Sequence, residues 1–184
     1  LGFIHLGFTH ILEGADHLLF LIGLMLIVCR IPTLLLSVTA FTIGHSVTLA
    51  CATLGIVQIP TALVETLIAL SIVFLAREAL SLEQSSWSWR CPWLIALGFG
   101  LIHGLGFATA LSAIGIGPQN LTLTLFAFNA GVELGQIAFV LVIWSVLSWL
   151  RSAQRGRLAA GSQLFLSYLL GIAGCTWCIE RLVE

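Results

Sequence analysis

Six apolar runs, each about as long as a bilayer is thick, fill this chain from end to end. A spanning helix needs roughly 20 mostly apolar residues. The runs cover 6–29, 33–54, 61–80, 92–114, 121–149 and 160–180. Turn and stop signals separate them: Arg30-Ile31-Pro32, Gly55 to Pro60, Ser81 to Pro92, Gly115-Ile116-Gly117-Pro118 and Arg151 to Arg157. Only 15 of the 184 residues carry a formal charge, 8%, where a soluble domain carries about 25%. Too little polar surface exists to face water all round. The expected fold is all-α, a polytopic membrane bundle of about six transmembrane helices. With the runs filling the chain, a single integral-membrane domain is expected over 1–184.

The net charge is −1 and there is no lysine, so no basic footprint points to nucleic acid. Cys29, Cys51, Cys91, Cys175 and Cys178 mostly lie in apolar stretches, where a free thiol acts as a small hydrophobe. Cys175 and Cys178 form a C-x-x-C, read as packing residues ahead of a disulfide or metal pair. Trp87, Trp89 and Trp93 suit an interfacial belt.

The arginines orient the bundle. Arg30, Arg77, Arg90, Arg151, Arg155 and Arg157 follow helices 1, 3 and 5, and only Arg181 falls on the other side. The arginine-rich side is expected to be cytoplasmic, with both termini outside. A chain that begins at Leu1 fits a cleaved signal peptide or a trimmed sequence. A three-plus-three division allows inverted repeats, and the glycine-flanked histidines of helices 1 and 4 hint at them.

Ionisable groups inside a bilayer are expensive and are functional candidates by default. Here they are His10, Glu13, Asp16 and His17 in helix 1, His45 in helix 2, Glu65 in helix 3, His103 in helix 4 and Glu133 in helix 5. At 1.5 Å per residue, Asp16, His17, His45, His103 and Glu133 all fall roughly 12–18 Å from the outer surface, near mid-membrane. His10 and Glu65 fall nearer that surface, and His5 reads as interfacial. Asn129, Glu133 and Gln136 share one stripe of helix 5, and Thr42, His45 and Ser46 one of helix 2. Gly98, Gly100, Gly104 and Gly106 surround His103, permitting close helix approach or a local break. Imidazoles and carboxylates at one depth suit a divalent cation such as nickel, cobalt or zinc. Soft ligands are scarce at that level, which argues against copper(I).

The stretch His10-Ile11-Leu12-Glu13-Gly14-Ala15-Asp16-His17 resembles the first-helix signature of the HupE/UreJ (hydrogenase/urease accessory) membrane family, H-P-x-x-G-x-D-H. Ile11 stands where proline is common. Thr39 to Ser46, Val64-Glu65 with Ile68 to Ser71, Gly98 to Phe107 and Phe128 to Gln136 are similar to the same family, chiefly its second branch. The resemblance implies a secondary permease for nickel or cobalt in a bacterial inner membrane. It implies a metal-binding role most directly for His10, Asp16 and His17.

The expected site is Asp16, His17, His45, His103 and Glu133, joined by His10 through the resemblance. Glu13 and Glu65 are expected at the outer entrance with His10, and Asn129 and Gln136 beside the site. No ATP-binding motif is present, so a gradient or a partner subunit would drive transport. A homo-oligomer and a metallochaperone partner both fit such a protein. Two rival readings stand beside it. An intramembrane zinc metalloenzyme would hold its metal with three histidines and keep a position open for water. A structural subunit of a membrane complex would bind no metal.

Overall fold

A computed structural model of the chain describes residues 2–81, 87–113, 121–153 and 159–183. The expected turn at 115–118 and the centre of the basic segment, 154–158, lie outside them. Among the described residues all regular structure is helical: α1 Gly2–Glu13, α2 Ala15–Ile27, α3 Ile31–Thr53, α4 Thr61–Leu80, α5 Trp87–Arg90, α6 Pro92–Ala113, α7 Leu121–Ala153 and α8 Ala159–Val183. The local signals act as their chemistry dictates. Pro32 and Pro92 lie in the first turns of α3 and α6, where a missing N–H leaves nothing unpaired. Gly55, at φ +72°, follows the end of α3 in the left-handed region.

The chain is a membrane bundle, and the expected count of about six spans is not confirmed. Among the described residues three helices are long and apolar enough to cross a bilayer, Ile31–Thr53, Leu121–Ser148 and Gln163–Val183. A fourth span arises if α1 and α2 count as one. Glu65, Arg77 and Glu78 make α4 too charged for that standard. The described part of α6 that is apolar, Pro92–Phe107, is too short. Outward-facing Leu36, Ile43 and Val47 on α3 and Phe165, Ile172 and Ile179 on α8 are exposed, while His17, His45, His103 and Gln136 are buried. Apolar outside and polar inside is the pattern that lipid favours.

Helix 1 departs from the single element expected over 6–29. It breaks at Gly14 and turns by 70° between α1 and α2. Gly14 is extended, at φ −76° and ψ 97°. A Cβ there would stand 2.6 Å from Nδ1 of His17 and 2.9 Å from the carbonyl of His10. The break places Asp16 in the first turn of α2, where the helix dipole favours a carboxylate.

The helices pack in pairs: α1 on α7, α3 on α6, and α4 on α8. With α1 and α2 as one unit and the short α5 set aside, six units remain. Exchanging the first three with the last three maps α1·α7 onto α6·α3 and returns α4·α8 to itself. The sequence repeats in step with this: Gly7-x-x-His10 and Gly100-x-x-His103, Phe41-x-x-Gly44 and Phe128-x-x-Gly131. So do the contacts. A Cβ on Gly7 would meet the carbonyl of Phe128, and one on Gly100 that of Phe41. Gly131 faces the carbonyl of Ile4, and Gly44 that of Leu97, each three residues before the facing glycine. Small residues let helix backbones approach in this way.

Candidate metal centre

The break at Gly14 has a direct geometric result. In a continuous helix His10 and His17 would be separated by about 10.5 Å along the axis. Here their ring centres are 4.7 Å apart. His103 from α6 brings its ring to 5.2 Å from that of His17. His45 from α3 lies 6.2 Å from His10 and 6.4 Å from His17. One ring nitrogen each from His10, His17 and His45 lies within 4.8 Å of the others.

The hydrogen bonds fix which nitrogen faces the centre. Nδ1 of His17 lies 3.1 Å from Oδ1 of Asp16. Nδ1 of His103 lies 2.8 Å from the carbonyl of Phe99. Nδ1 of His45 lies 3.1 Å from Oδ1 of Asn129. The Asn129 amide donates its own N–H to the carbonyl of Leu125 at 2.8 Å, so its oxygen is the atom turned to His45. A carboxylate and two carbonyl oxygens can only accept. Each of the three Nδ1 atoms therefore donates, and each Nε2 carries a lone pair. Nε2 of His10, His17, His45 and His103 are all buried and have no partner. An unsatisfied buried polar atom costs about 1–3 kcal/mol, and here four occur in one cluster. Metal-ligating histidines show this same pattern, the outer nitrogen held and the inner one open.

Aromatic rings wall the cluster. Phe107 lies 4.1 Å and Phe128 5.5 Å from His10, ring to ring. Phe41 and Phe20 lie 5.0 and 5.4 Å from His103. A cavity of about 270 Å³ borders the cluster and is lined by His10, Asp16, His17 and His103. Glu65, Trp177 and Arg181 line it too.

The expected site residues fall in three places. His10, His17, His45 and His103 come together, and His10 lies among the rings rather than at the entrance. Asp16 holds His17 and lines the cavity, and Asn129 holds His45. Glu133 and Gln136 contact α3. The Thr39 hydroxyl donates to Glu133 at 2.6 Å, and the Thr42 hydroxyl to Gln136 at 2.9 Å. With His45–Asn129 these contacts form a polar ladder between α3 and α7. It leads away from the end of the bundle where Glu65 lies. Glu65 lines the cavity, while Glu13 is exposed at the end of α1.

The roles of several participants were not visible in the sequence. Thr39, Phe99, Phe107 and Phe128 fall within the family-like segments, but tertiary packing alone makes them the partner of Glu133, the carbonyl that holds His103 and the walls beside His10. Glu78, 2% exposed, pairs with Arg77 at 2.5 Å and with the Ser88 hydroxyl, tying α5 to α4. The five cysteines are free thiols, and none belongs to the imidazole cluster.

The family described as HupE / UreJ protein matches residues 1–181 of the chain. No curated protein and no solved structure matches it.

Proposed function

The chain belongs to the HupE/UreJ protein family, and we propose that it is a secondary permease for a divalent transition-metal cation, nickel or cobalt, in a bacterial inner membrane. The observation that carries this reading is the set of four buried, unpartnered Nε2 atoms in one cluster. His10, His17, His45 and His103 would hold the cation. Neutral imidazole suits nickel, cobalt and zinc, and no thiol is at hand to select a softer ion. Metal–nitrogen bonds of about 2.1 Å in a tetrahedral site place the nitrogens roughly 3.4 Å apart. The ring nitrogens of His10, His17 and His45, within 4.8 Å of one another, call for a modest closure of those rings on the ion, and His103 would join from beside His17. Asp16 supplies the compensating negative charge through His17. A gradient or a partner subunit would supply the driving force.

A path onward supports transport. The α3–α7 ladder continues beyond the imidazoles, and Glu133 would be the next carboxylate a cation meets. The exchange relation between the two halves also fits a permease, since many transporters place their site between inverted repeats. A zinc metalloenzyme finds support in one observation, a cavity lined by three of the imidazoles and the Asp16 and Glu65 carboxylates. Reconstitution separates the two. Liposomes containing the protein should accumulate nickel or cobalt, at a rate that a protonophore or a pH step alters. Metal that binds and never crosses the bilayer would overturn the permease and favour the enzyme.

A further inference from the structure

Arg181 breaks the pattern of the other arginines. Six of the seven follow helices that end at one face, and Arg181 lies in the last turn of α8 at the opposite one. There its Nε lies 3.1 Å from Oε2 of Glu65, in the second turn of α4. Its guanidinium carbon lies 5.9 Å from the centre of the Trp177 ring. All three side chains line the same cavity as His17 and His103. The Arg181 and Glu65 side chains are 32% and 40% exposed, so the pair stands at the wet end of that cavity.

An ion pair this exposed contributes little to stability. Its effect on a passing charge is larger, because charges at the mouth of a low-dielectric cleft set the local concentration of ions. Glu65 alone would attract a dication. Glu65 paired with Arg181 presents no net charge.

We propose that Arg181 is an electrostatic gate over the metal cavity: it occupies the Glu65 carboxylate until a divalent transition-metal cation displaces it. This rests on the reading of the imidazole cluster as a metal site. The carboxylate then passes from guanidinium to metal, and the guanidinium keeps its place over the face of Trp177, 5.9 Å from the ring centre, a favourable resting place for a cation. The gate disfavours monovalent cations, whose weaker attraction to Glu65 does not match that of the arginine it must replace.

Cobalt(II) loading of the full chain in detergent, followed by stopped-flow visible absorbance, tests this. Removing Arg181 leaves one negative charge at the mouth, and removing Glu65 leaves one positive charge. A unit charge about 7 Å from a dication changes its local concentration about sevenfold at low ionic strength and about twofold at physiological salt. R181Q should therefore load faster by that factor and E65Q slower. R181K should load like the wild type, and so should R181Q/E65Q, whose net charge is restored. Loading rates of R181Q and E65Q that equal the wild type, or that shift in one common direction, overturn the gate. A wild-type protein that takes up no cobalt at all overturns the metal site itself.

Discussion

Gly14→Ala tests whether the break in helix 1 builds the site. The new methyl carbon would stand 2.6 Å from Nδ1 of His17, 2.9 Å from the carbonyl of His10 and 3.0 Å from Oδ1 of Asp16. The backbone angles at Gly14 are open to alanine, so the obstacle is these three atoms. The chain has two ways out. It can keep the bend and push the Asp16–His17 pair away, which frees the His17 ring from the bond that aims its Nε2. Or it can join α1 and α2, helped by the ~1 kcal/mol by which alanine outranks glycine in a helix. Joining carries His10 and His17 to about 10.5 Å apart along the axis, against 4.7 Å between their rings now. Either route removes an imidazole from the cluster. Disturbing the groups that orient a metal ligand typically weakens affinity 10–100-fold, about 1.4–2.7 kcal/mol. The assay is a cobalt(II) titration of purified protein, with thermal melting to verify folding. Gly98→Ala is the control, since nothing lies within 4 Å of its Cβ position, and it should bind as the wild type does. Folded Gly14→Ala protein with wild-type affinity would show that the break does not position the imidazoles.

Single replacements His45→Ala and His103→Ala should each lower cobalt affinity at least about tenfold, by analogy with the sensitivity of metal sites to their outer partners; full affinity with lost thermal stability would make these rings packing residues. Gly7→Ala and Gly100→Ala sit at equivalent crossings and should each lower stability by about 1–3 kcal/mol, the usual cost of overpacking, measured by melting; an unchanged melting temperature in either denies the close approach. Thr39→Val removes the hydroxyl bonded to Glu133 and should slow metal flux into liposomes while leaving equilibrium binding near wild type; the reverse outcome would place Glu133 in the binding site. A reporter fused after Glu184 should be active outside the cytoplasm and one within 151–157 inside, as the arginine distribution requires; the opposite pattern inverts the direction in which the cavity opens.

The helices were largely legible, because each apolar run ends at a glycine, an arginine or, after 61–80, the polar stretch that begins at Ser81. The α4 boundaries, 61–80, are those the pattern gives. The break at Gly14 was not legible. Glycine inside an apolar run reads equally well as a packing residue, and only the crowding by His10 and His17 decides. Depth counting placed His17, His45 and His103 on one level because rise per residue needs no tertiary information. It set His10 nearer the surface because counting along a straight helix ignores the bend at Gly14, which brings the His10 ring beside that of His17. Glu133 points to Thr39, a partner that no periodicity names.

The same geometry bears on transport against catalysis. His10 and His103 occupy matching places in Gly7-x-x-His10 and Gly100-x-x-His103, and each follows a glycine packed on a phenylalanine carbonyl of the facing helix. A cation held between them is held by both halves of the chain at once. His17 and His45 have no such counterparts, and each is tied to a side chain that only its own half, or only the other, provides: Asp16 for the first, Asn129 for the second. At the crossings glycines face backbone carbonyls, beside the packed side chains of Ile11, Phe41 and Phe128. Two such crossings, α1 on α7 and α3 on α6, join the two halves of the chain, and any freedom of one half to rock against the other would have to lie across them. A fixed hydrolytic centre gains nothing from that freedom, since catalysis requires ligands held still. A permease requires it, because an ion bound tightly between rigid walls does not leave. The bonds that must change when the pairs move are those of the α3–α7 ladder, which holds Glu133 and Gln136 on the side away from the cavity.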